Sequence, residues 1–444
     1  MKKTLISLAT ASLIASSAMA ADKGIDFTTT GQAVVYYETH GDNGKGADDI
    51  FNKDNSVANV GIQLNLASDL GNNFTFGSQI TYIGTDGLEK NLVSGVKQTA
   101  GTTPTAPDTT SELALTKIFI AKQIANTTVK LGRQELPKSL SPLAFTEGWN
   151  VFKNTFDAAL IVNSDLPNTT IVAAYIGKGS GMDLGSMGDP VAKVNNPALG
   201  NLTAEVSSTA YMLTVQNTAL PMTTITGSYY SLSGVGASLA ATTGSTNGIH
   251  ADALWLNVSV ADKSFPMGLK ADLQAGMITP DDFANVKMES TTAMGAKVSV
   301  KAMPALTLTG AFSFVSGSKD KTVVAIKNTG TGIKSPLFTQ MVYNQDAISL
   351  DAKTLVVKGV YSLGDMGKVI AQYGFTDGGA RNLMNAGRKT GTDYSEFDLM
   401  YKLKAGGVQY FAALINRSWS EKTSVNNGSM DSDNKFRVWG RYAF

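Results

Sequence analysis

The sequence predicts an all-β fold: a transmembrane antiparallel β-barrel of 18 strands, with 16 strands as the alternative. Three observations favour it. Apolar and polar residues alternate along many segments, the connections between these segments are short and long in turn, and the chain ends on an aromatic strand. In a barrel of this kind, one face of each strand contacts lipid and the other faces the lumen.

The composition excludes several other classes of protein. The 444 residues include no cysteine and two histidines, so neither a disulfide scaffold nor a cysteine-ligated metal site is possible. A helical membrane bundle needs repeated apolar runs of about 20 residues, which the chain after its first residues lacks. With 37 basic against 36 acidic residues, no nucleic-acid partner is expected.

The first 20 residues are predicted to be a cleaved signal peptide. Lys2 and Lys3 give a positive start, a short apolar stretch follows, and Ala18-Met19-Ala20 has the small residues that signal peptidase requires. We therefore expect residues 21–444 to form the barrel, outside the cytoplasm of a bacterium.

Alternation with a period of two marks strands that are apolar on one face only. Between residues 268 and 278, for example, Leu273 and Met277 lie on one face, whereas Asp272 and Gln274 lie on the other. The same pattern predicts strands near 26–39, 56–68, 74–84, 112–123, 127–136, 155–164, 169–177, 204–217, 222–232, 249–260, 268–279, 291–302, 305–316, 351–363, 368–377, 394–404, 407–419 and 434–444.

The connections between these segments alternate in length. Tight turns such as 164–168 and 405–407 are rich in turn residues, whereas the long connections are rich in Gly, Ser, Thr, Asn and Asp. Short turns on one side and long loops on the other are typical of outer-membrane barrels, with both chain ends on the periplasmic side. Eighteen strands enclose a lumen too wide for side chains to fill, so we expect an aqueous channel.

The last strand carries an assembly signal. Phe444 ends the chain, and Tyr442, Val438 and Phe436 share its face. Outer-membrane barrels commonly end in this way, and the barrel-assembly machinery is expected to bind this strand.

Residues 129–177 resemble the corresponding region of epsilonproteobacterial major outer-membrane porins and, more distantly, of OprD-like porins. The matching pieces are Gly132-Arg133-Gln134 and Phe156-Asp157-Ala158. The resemblance implies an 18-strand barrel, a homotrimer and a third external loop that folds into the lumen. Residues 149–154 replace the Arg-rich stretch of OprD-like porins, so their substrate preferences are not carried over.

The third long connection, residues 137–154, is unusually apolar for an exposed loop, with Leu140, Leu143, Phe145, Trp149 and Phe152. We predict that it enters the lumen; an external loop at a trimer interface is the alternative. Charged side chains on or beside it would then set the field of the constriction, where rings of charge select ions. The candidate constriction residues are Arg133, Glu135, Lys138, Glu147, Lys153 and Asp157.

The orientation of Arg133 is the difficult point. Strict alternation turns it outward with Leu131, whereas a bulge at Gly132 would turn it inward, which the resemblance favours. Asp157 is predicted to face the lumen, on the opposite face from Phe156.

The function expected from this fold is a diffusion channel for ions and small hydrophilic solutes, with a mild preference for anions. The alternatives are a substrate-selective porin and a surface adhesin or structural barrel without an open pore. His40 and His250 are expected to be solvated, so no enzyme activity and no cofactor are predicted. Calcium is possible at Asp42/Asp48/Asp49 or Asp431/Asp433. The expected partners are outer-membrane lipid and lipopolysaccharide, the barrel-assembly machinery and two further copies of the chain.

Overall fold

A computed structural model describes residues 26–42, 49–98, 111–181, 184, 194–196, 200–202, 209–235, 249–282, 287–316, 322–344, 350–377, 393–425 and 428–444. Within these ranges, 18 strands form one closed antiparallel sheet. The strands, here β1 to β18, are Thr28–Asp42, Ser56–Gly71, Phe74–Gly84, Glu112–Ile124, Thr127–Gln134, Phe156–Asn163, Thr169–Gly179, Thr209–Asn217, Thr223–Val235, Ile249–Ala261, Lys270–Pro280, Thr291–Met303, Leu306–Ser316, Lys353–Ser362, Lys368–Asp377, Tyr394–Ala405, Val408–Val425 and Gly428–Ala443.

The sheet closes where the first strand meets the last. β1 pairs with β18 from Gln32↔Ala443 to Asp42↔Asp433. Closure leaves no sheet edge with unpaired amides, which is the condition for a sheet that spans lipid. The 18-strand prediction is confirmed, and the 16-strand alternative is wrong.

The predicted alternation sorts residues between the two faces of the sheet. On β11, Leu273 and Met277 are 58% and 39% exposed, whereas Asp272 and Gln274 are 6% and 5% exposed. The exposed apolar face is the outer surface of the barrel and is suited to lipid contact, whereas the polar face lines the lumen.

The short connections are tight hairpins at one end of the barrel. Between β16 and β17, Gly406 and Gly407 have φ values of +57° and +81°. Two consecutive residues in this region form the turn that matches the twist of a β-hairpin, and glycine adopts it without steric cost.

One feature of the fold lies outside the sequence predictions. The external connections contribute a second sheet of four short strands, Val194–Asn196, Gly200–Leu202, Met288–Glu289 and Thr322–Val324. Across the described ranges, no helix is long and apolar enough to cross a membrane. The predicted signal peptide, residues 1–20, lies outside the described residues, as do Asp48 and the side chain of Asp431 in the possible calcium clusters.

Candidate functional site in the barrel lumen

The third external connection, here L3 (residues 135–155), folds into the lumen as predicted. Leu143, Phe145 and Phe152 are 1%, 4% and 1% exposed. The backbone N–H of Leu143 donates to the Tyr230 hydroxyl on β9 at 3.2 Å. Phe152 packs over Gly61 on β2, where a Cβ would lie 2.6 Å from the ring. L3 therefore touches opposite sides of the barrel wall.

A second connection, here L7 (residues 322–344, between β13 and β14), also folds into the lumen. Val324, Ile326 and Leu337 are buried and belong to the same apolar cluster as Leu143 of L3. Met341 packs against Gly374 on β15. The inward fold of L7 was not predicted, although the apolar content of this loop is the same signal that identified L3.

L3 and L7 are fastened to each other by hydrogen bonds. The Asn328 amide donates to the Phe145 carbonyl at 2.8 Å and accepts from the Phe145 N–H at 2.9 Å. The Thr329 N–H donates to the Leu143 carbonyl at 2.7 Å. Buried polar groups are costly unless they are paired, so these bonds hold the two loops together as one constricting unit.

Glu147 lies inside this unit. It is 5% exposed, and its Oε1 accepts from the Asn328 amide at 2.6 Å and from the Thr331 hydroxyl at 2.5 Å. Its Oε2 accepts from the Trp149 indole. Glu147, a predicted constriction residue, therefore joins L3 to L7, and both its carboxylate oxygens are engaged by the protein.

Glu135 and Lys153 lie at the two ends of L3 and retain contact with solvent. Lys153 Nζ donates to Glu135 Oε2 at 2.9 Å, and Lys117 Nζ on β4 donates to Glu135 Oε1. The side chains of Lys153 and Glu135 are 53% and 31% exposed. Burial would raise the pKa of Glu135, but Lys117 and Lys153 together hold it below its ordinary value, so the carboxylate is ionised.

Two lysines donate to backbone carbonyls of L7, one from L3 and one from L7 itself. Lys138 of L3 is exposed and donates through Nζ to the Ser335 carbonyl at 3.0 Å. Lys334 is 8% exposed and donates to the Met341 carbonyl at 2.8 Å. Burial lowers the pKa of Lys334 to about 8, although Glu147 acts in the opposite direction.

Arg133 and Asp157 form an ion pair on the outer side of the barrel. Arg133 Nε lies 2.9 Å from Asp157 Oδ1, and the two residues are register partners on β5 and β6. They share their strand faces with Leu131 and Ile161, which are 48% and 44% exposed. The prediction that Asp157 faces the lumen, and the preference for an inward Arg133, are therefore wrong.

The physical reason lies at Gly132. This residue has a φ of +119°, but the register runs without a shift from β4 through β5 to β6, so alternation continues past it. Arg133 Nη1 also donates to the Leu115 carbonyl at 2.7 Å. The pair lies at the external ends of its strands, where an outward charge costs far less than at the membrane midplane.

The two sides of the lumen differ in chemistry. Inward residues of β6 to β13, such as Val172, Tyr230 and Trp255, pack with L3 and L7 in one apolar cluster. The opposite side, formed by β16 to β18 and β1, carries buried charged residues: Glu38, Glu396, Asp398, Asp433 and Arg437.

A group of lysines faces the lumen towards its periplasmic end. Lys402 is the register partner of Lys368, and Lys358 is the partner of Gln372, a buried residue on the inward face. Within the described ranges, none of these three lysines has an acidic side chain within 4.0 Å. This end of the lumen therefore carries uncompensated positive charge.

In the described part of the chain, no group of three or more metal-ligating side chains is found.

The four residues of the predicted assembly signal lie on one face of the closing strand. Phe436, Val438 and Tyr442 pair with Thr39, Tyr37 and Ala33 of β1. Phe444 exchanges two backbone hydrogen bonds with Gly31 at 2.6 and 3.0 Å. Tyr442 and Phe444 are about half exposed on the outer surface.

Comparison with solved structures places this architecture among known barrels. The chain is similar to Pseudomonas aeruginosa OccK8 (OprE), with a TM-score of 0.68, 13% identity, and coverage of 94% of this chain and 98% of that one. It is also similar to Acinetobacter baumannii OccAB3 (TM-score 0.68, 14% identity, 94% and 99% covered). A third neighbour is P. aeruginosa OccK1 (OpdK), with a TM-score of 0.69, 11% identity, and 94% and 99% covered.

These structural neighbours are OprD/Occ-family outer-membrane porins. At such low identity the likeness shows the fold, and it covers nearly the whole of each chain. No family model matches the sequence, and no curated protein matches it.

Proposed function

We propose that this protein is a porin of the bacterial outer membrane, a water-filled diffusion channel for ions and small hydrophilic solutes. The observation that carries the proposal is a closed 18-strand barrel whose polar lumen is narrowed by two inward loops, L3 and L7. An apolar outer face and a charged, partly solvated lumen are what a passive channel through lipid requires. Transport of this kind uses neither catalysis nor a cofactor.

Within the constriction, Glu135 and Lys153 are the predicted charges best placed to meet a solute, because both remain in contact with solvent. Lys138 donates to the Ser335 carbonyl of L7, whereas Glu147 acts by holding L3 to L7. The uncompensated Lys358, Lys368 and Lys402 further down the lumen support the predicted mild preference for anions.

A substrate-selective channel of the same fold is the second candidate. One structural neighbour, P. aeruginosa OpdK, was crystallised with vanillate, at a TM-score of 0.68 and 11% identity. A selective channel needs fixed groups at its narrowest part, and the hydrogen-bonded L3 and L7 provide such a rigid frame.

Planar-bilayer recording on the purified protein tests both candidates. A porin gives stable single-channel conductance steps. In a salt gradient, the sign of the reversal potential is expected to show a preference for anions over cations. Saturable block by one class of solute would identify the selective channel. The absence of any conductance from correctly folded protein would instead favour a surface adhesin or structural barrel without an open pore.

The assembly partners are part of the same proposal. We infer a homotrimer in contact with outer-membrane lipid and lipopolysaccharide, inserted by the barrel-assembly machinery through the Phe436 to Phe444 face. Conductance steps grouped in threes would support the trimer. The likeness of residues 129–177 supports a closer relation to epsilonproteobacterial major porins than to other porins of this fold.

A further inference from the structure

Two oppositely charged residues face each other across the seam where β1 and β18 close the barrel. Glu38 and Arg437 are register partners, and their side chains are 8% and 4% exposed. Arg437 Nε donates to Glu38 Oε2 at 2.7 Å. Charges so deeply buried persist only when they are paired, so each residue depends on the other.

Glu38 also accepts hydrogen bonds from two external connections. Lys97, at the end of the described part of the β3–β4 connection, donates through Nζ to Oε1 at 2.6 Å. The hydroxyl of Tyr343 in L7 donates to the same oxygen at 2.8 Å. With the Tyr36 hydroxyl on Oε2 at 2.5 Å, the carboxylate accepts four donors. A carboxylate has about four acceptor positions, so it is saturated by the protein.

Arg437 extends the same network to L3. Its Nη1 donates to the Trp149 carbonyl at 3.2 Å, and its Nη2 donates to the Tyr343 hydroxyl at 2.8 Å. The two residues of the seam therefore contact three external connections: the β3–β4 connection, L3 and L7.

We propose that Glu38 and Arg437 are positioning residues of the channel. They hold the β3–β4 connection, L3 and L7 against the closing seam, and so they set the width of the constriction without binding the passing solute. A solute-binding role would need accessible charge, whereas both side chains are enclosed and their polar groups are engaged. The inference rests on the proposed porin function only for its conductance readout.

The test uses the substitution Glu38→Gln and a matched control, Asp272→Asn. Asp272 is an equally buried carboxylate of the lumen wall, 3.2 Å from Lys297 and 3.7 Å from Lys270, both on wall strands. Each substitution removes one negative charge from the lumen. Comparison of the two variants therefore separates the effect of the lost charge from the effect of the lost loop contacts. A difference in mobility between heated and unheated protein on a denaturing gel confirms that each barrel is folded.

We expect Glu38→Gln to raise the mean conductance roughly twofold and to broaden its distribution, because a wider and less fixed constriction passes more ions.

A second readout uses the absence of native cysteine. Val151 of L3 is 0% exposed, so a thiol introduced by Val151→Cys is shielded while L3 is held in place. With Glu38→Gln, this thiol should react with a polar maleimide about tenfold faster, because local opening exposes it. Glu38→Asp should restore most of the protection.

If Asp272→Asn raises conductance and thiol reactivity as much as Glu38→Gln does, charge alone explains the change and the proposal is overturned. It is also overturned if folded Glu38→Gln protein behaves like wild type in both assays. Should Glu38→Gln fail to fold, Tyr343→Phe removes a single hydroxyl from the network and is expected to raise thiol reactivity severalfold; an unchanged rate refutes the proposal. A wild-type protein without conductance refutes the porin function, whereas thiol protection still tests the positioning role.

Discussion

The contact between Phe152 of L3 and Gly61 of β2 predicts that Gly61→Val displaces L3. A Cβ at Gly61 would lie 2.6 Å from Phe152 Cε2 and 2.9 Å from Cζ. Val34 and Ile83, the register partners of Gly61, are 1% and 0% exposed and enclose the same ring. The ring edge must therefore retreat by about 0.8 Å to reach an ordinary contact distance, and the two valine methyls require more.

The free-energy cost of Gly61→Val follows from overpacking. Extra methyl groups in a well-packed site typically cost about 1–3 kcal/mol. If this cost falls on the docked state of L3, the ratio of docked to undocked loop changes by about 5- to 150-fold. A Cβ at Gly61 would also lie 3.1 Å from the Tyr82 carbonyl oxygen on β3, which adds a smaller cost to the barrel itself. Valine is favoured in strands, so the larger effect is expected at the L3 contact.

Solute uptake into liposomes that contain the purified protein measures the effect. Gly61→Val should admit larger sugars than wild type, and single-channel records should show additional levels of higher conductance. Gly310→Val on β13 is the matched control, because a Cβ there meets nothing within 4 Å. If Gly61→Val and Gly310→Val both retain the wild-type size limit, L3 does not narrow the channel at this contact and the reasoning is refuted.

Three further predictions concern charge and assembly. Lys334 is charged below its pKa of about 8 and neutral above it. The ratio of anion to cation permeability should therefore fall between pH 6.5 and 9.5. A reversal potential that stays constant over this range would contradict a role of the Lys334 charge in ion selectivity. Glu135→Gln should change ion selectivity, whereas Asp157→Asn should not, because only Glu135 of the two faces the lumen. Equal shifts of the reversal potential in the two variants would contradict these orientations. Phe444→Ala should lower the yield of folded barrel in isolated outer membranes, because the Phe444 ring covers Gly31 at the closing seam. Heat-dependent gel mobility measures the folded fraction. An unchanged yield would argue against a role of Phe444 in assembly.

The positions of the strands could be predicted from the sequence because alternation is a local property of each strand. The predicted segment 74–84 matches β3, and 368–377 matches β15 at both ends. The inward fold of L3 was also predictable, because an exposed loop has no use for apolar residues such as Phe145 and Phe152.

The features that were missed depend on contacts between distant parts of the chain. L7 carried the same apolar signal in Val324, Ile326 and Leu337, but only the third loop was singled out by the resemblance. The orientation of Arg133 depended on whether Gly132 shifts the strand register, which residue types alone do not reveal. Glu38 was not recognised as a lumen residue of interest, because its partners come from four different segments of the chain.

The pairing of Glu38 with Arg437 has a consequence for the order of folding. The two residues are 399 positions apart, and their hydrogen bond exists only when the last strand lies beside the first. The carbonyl of Trp149 and the hydroxyl of Tyr343 share the same guanidinium, so these contacts of L3 and L7 are completed only when the sheet closes. A nascent barrel that is still open therefore lacks these contacts, and the hold of the seam on L3 and L7 is completed only when the sheet closes.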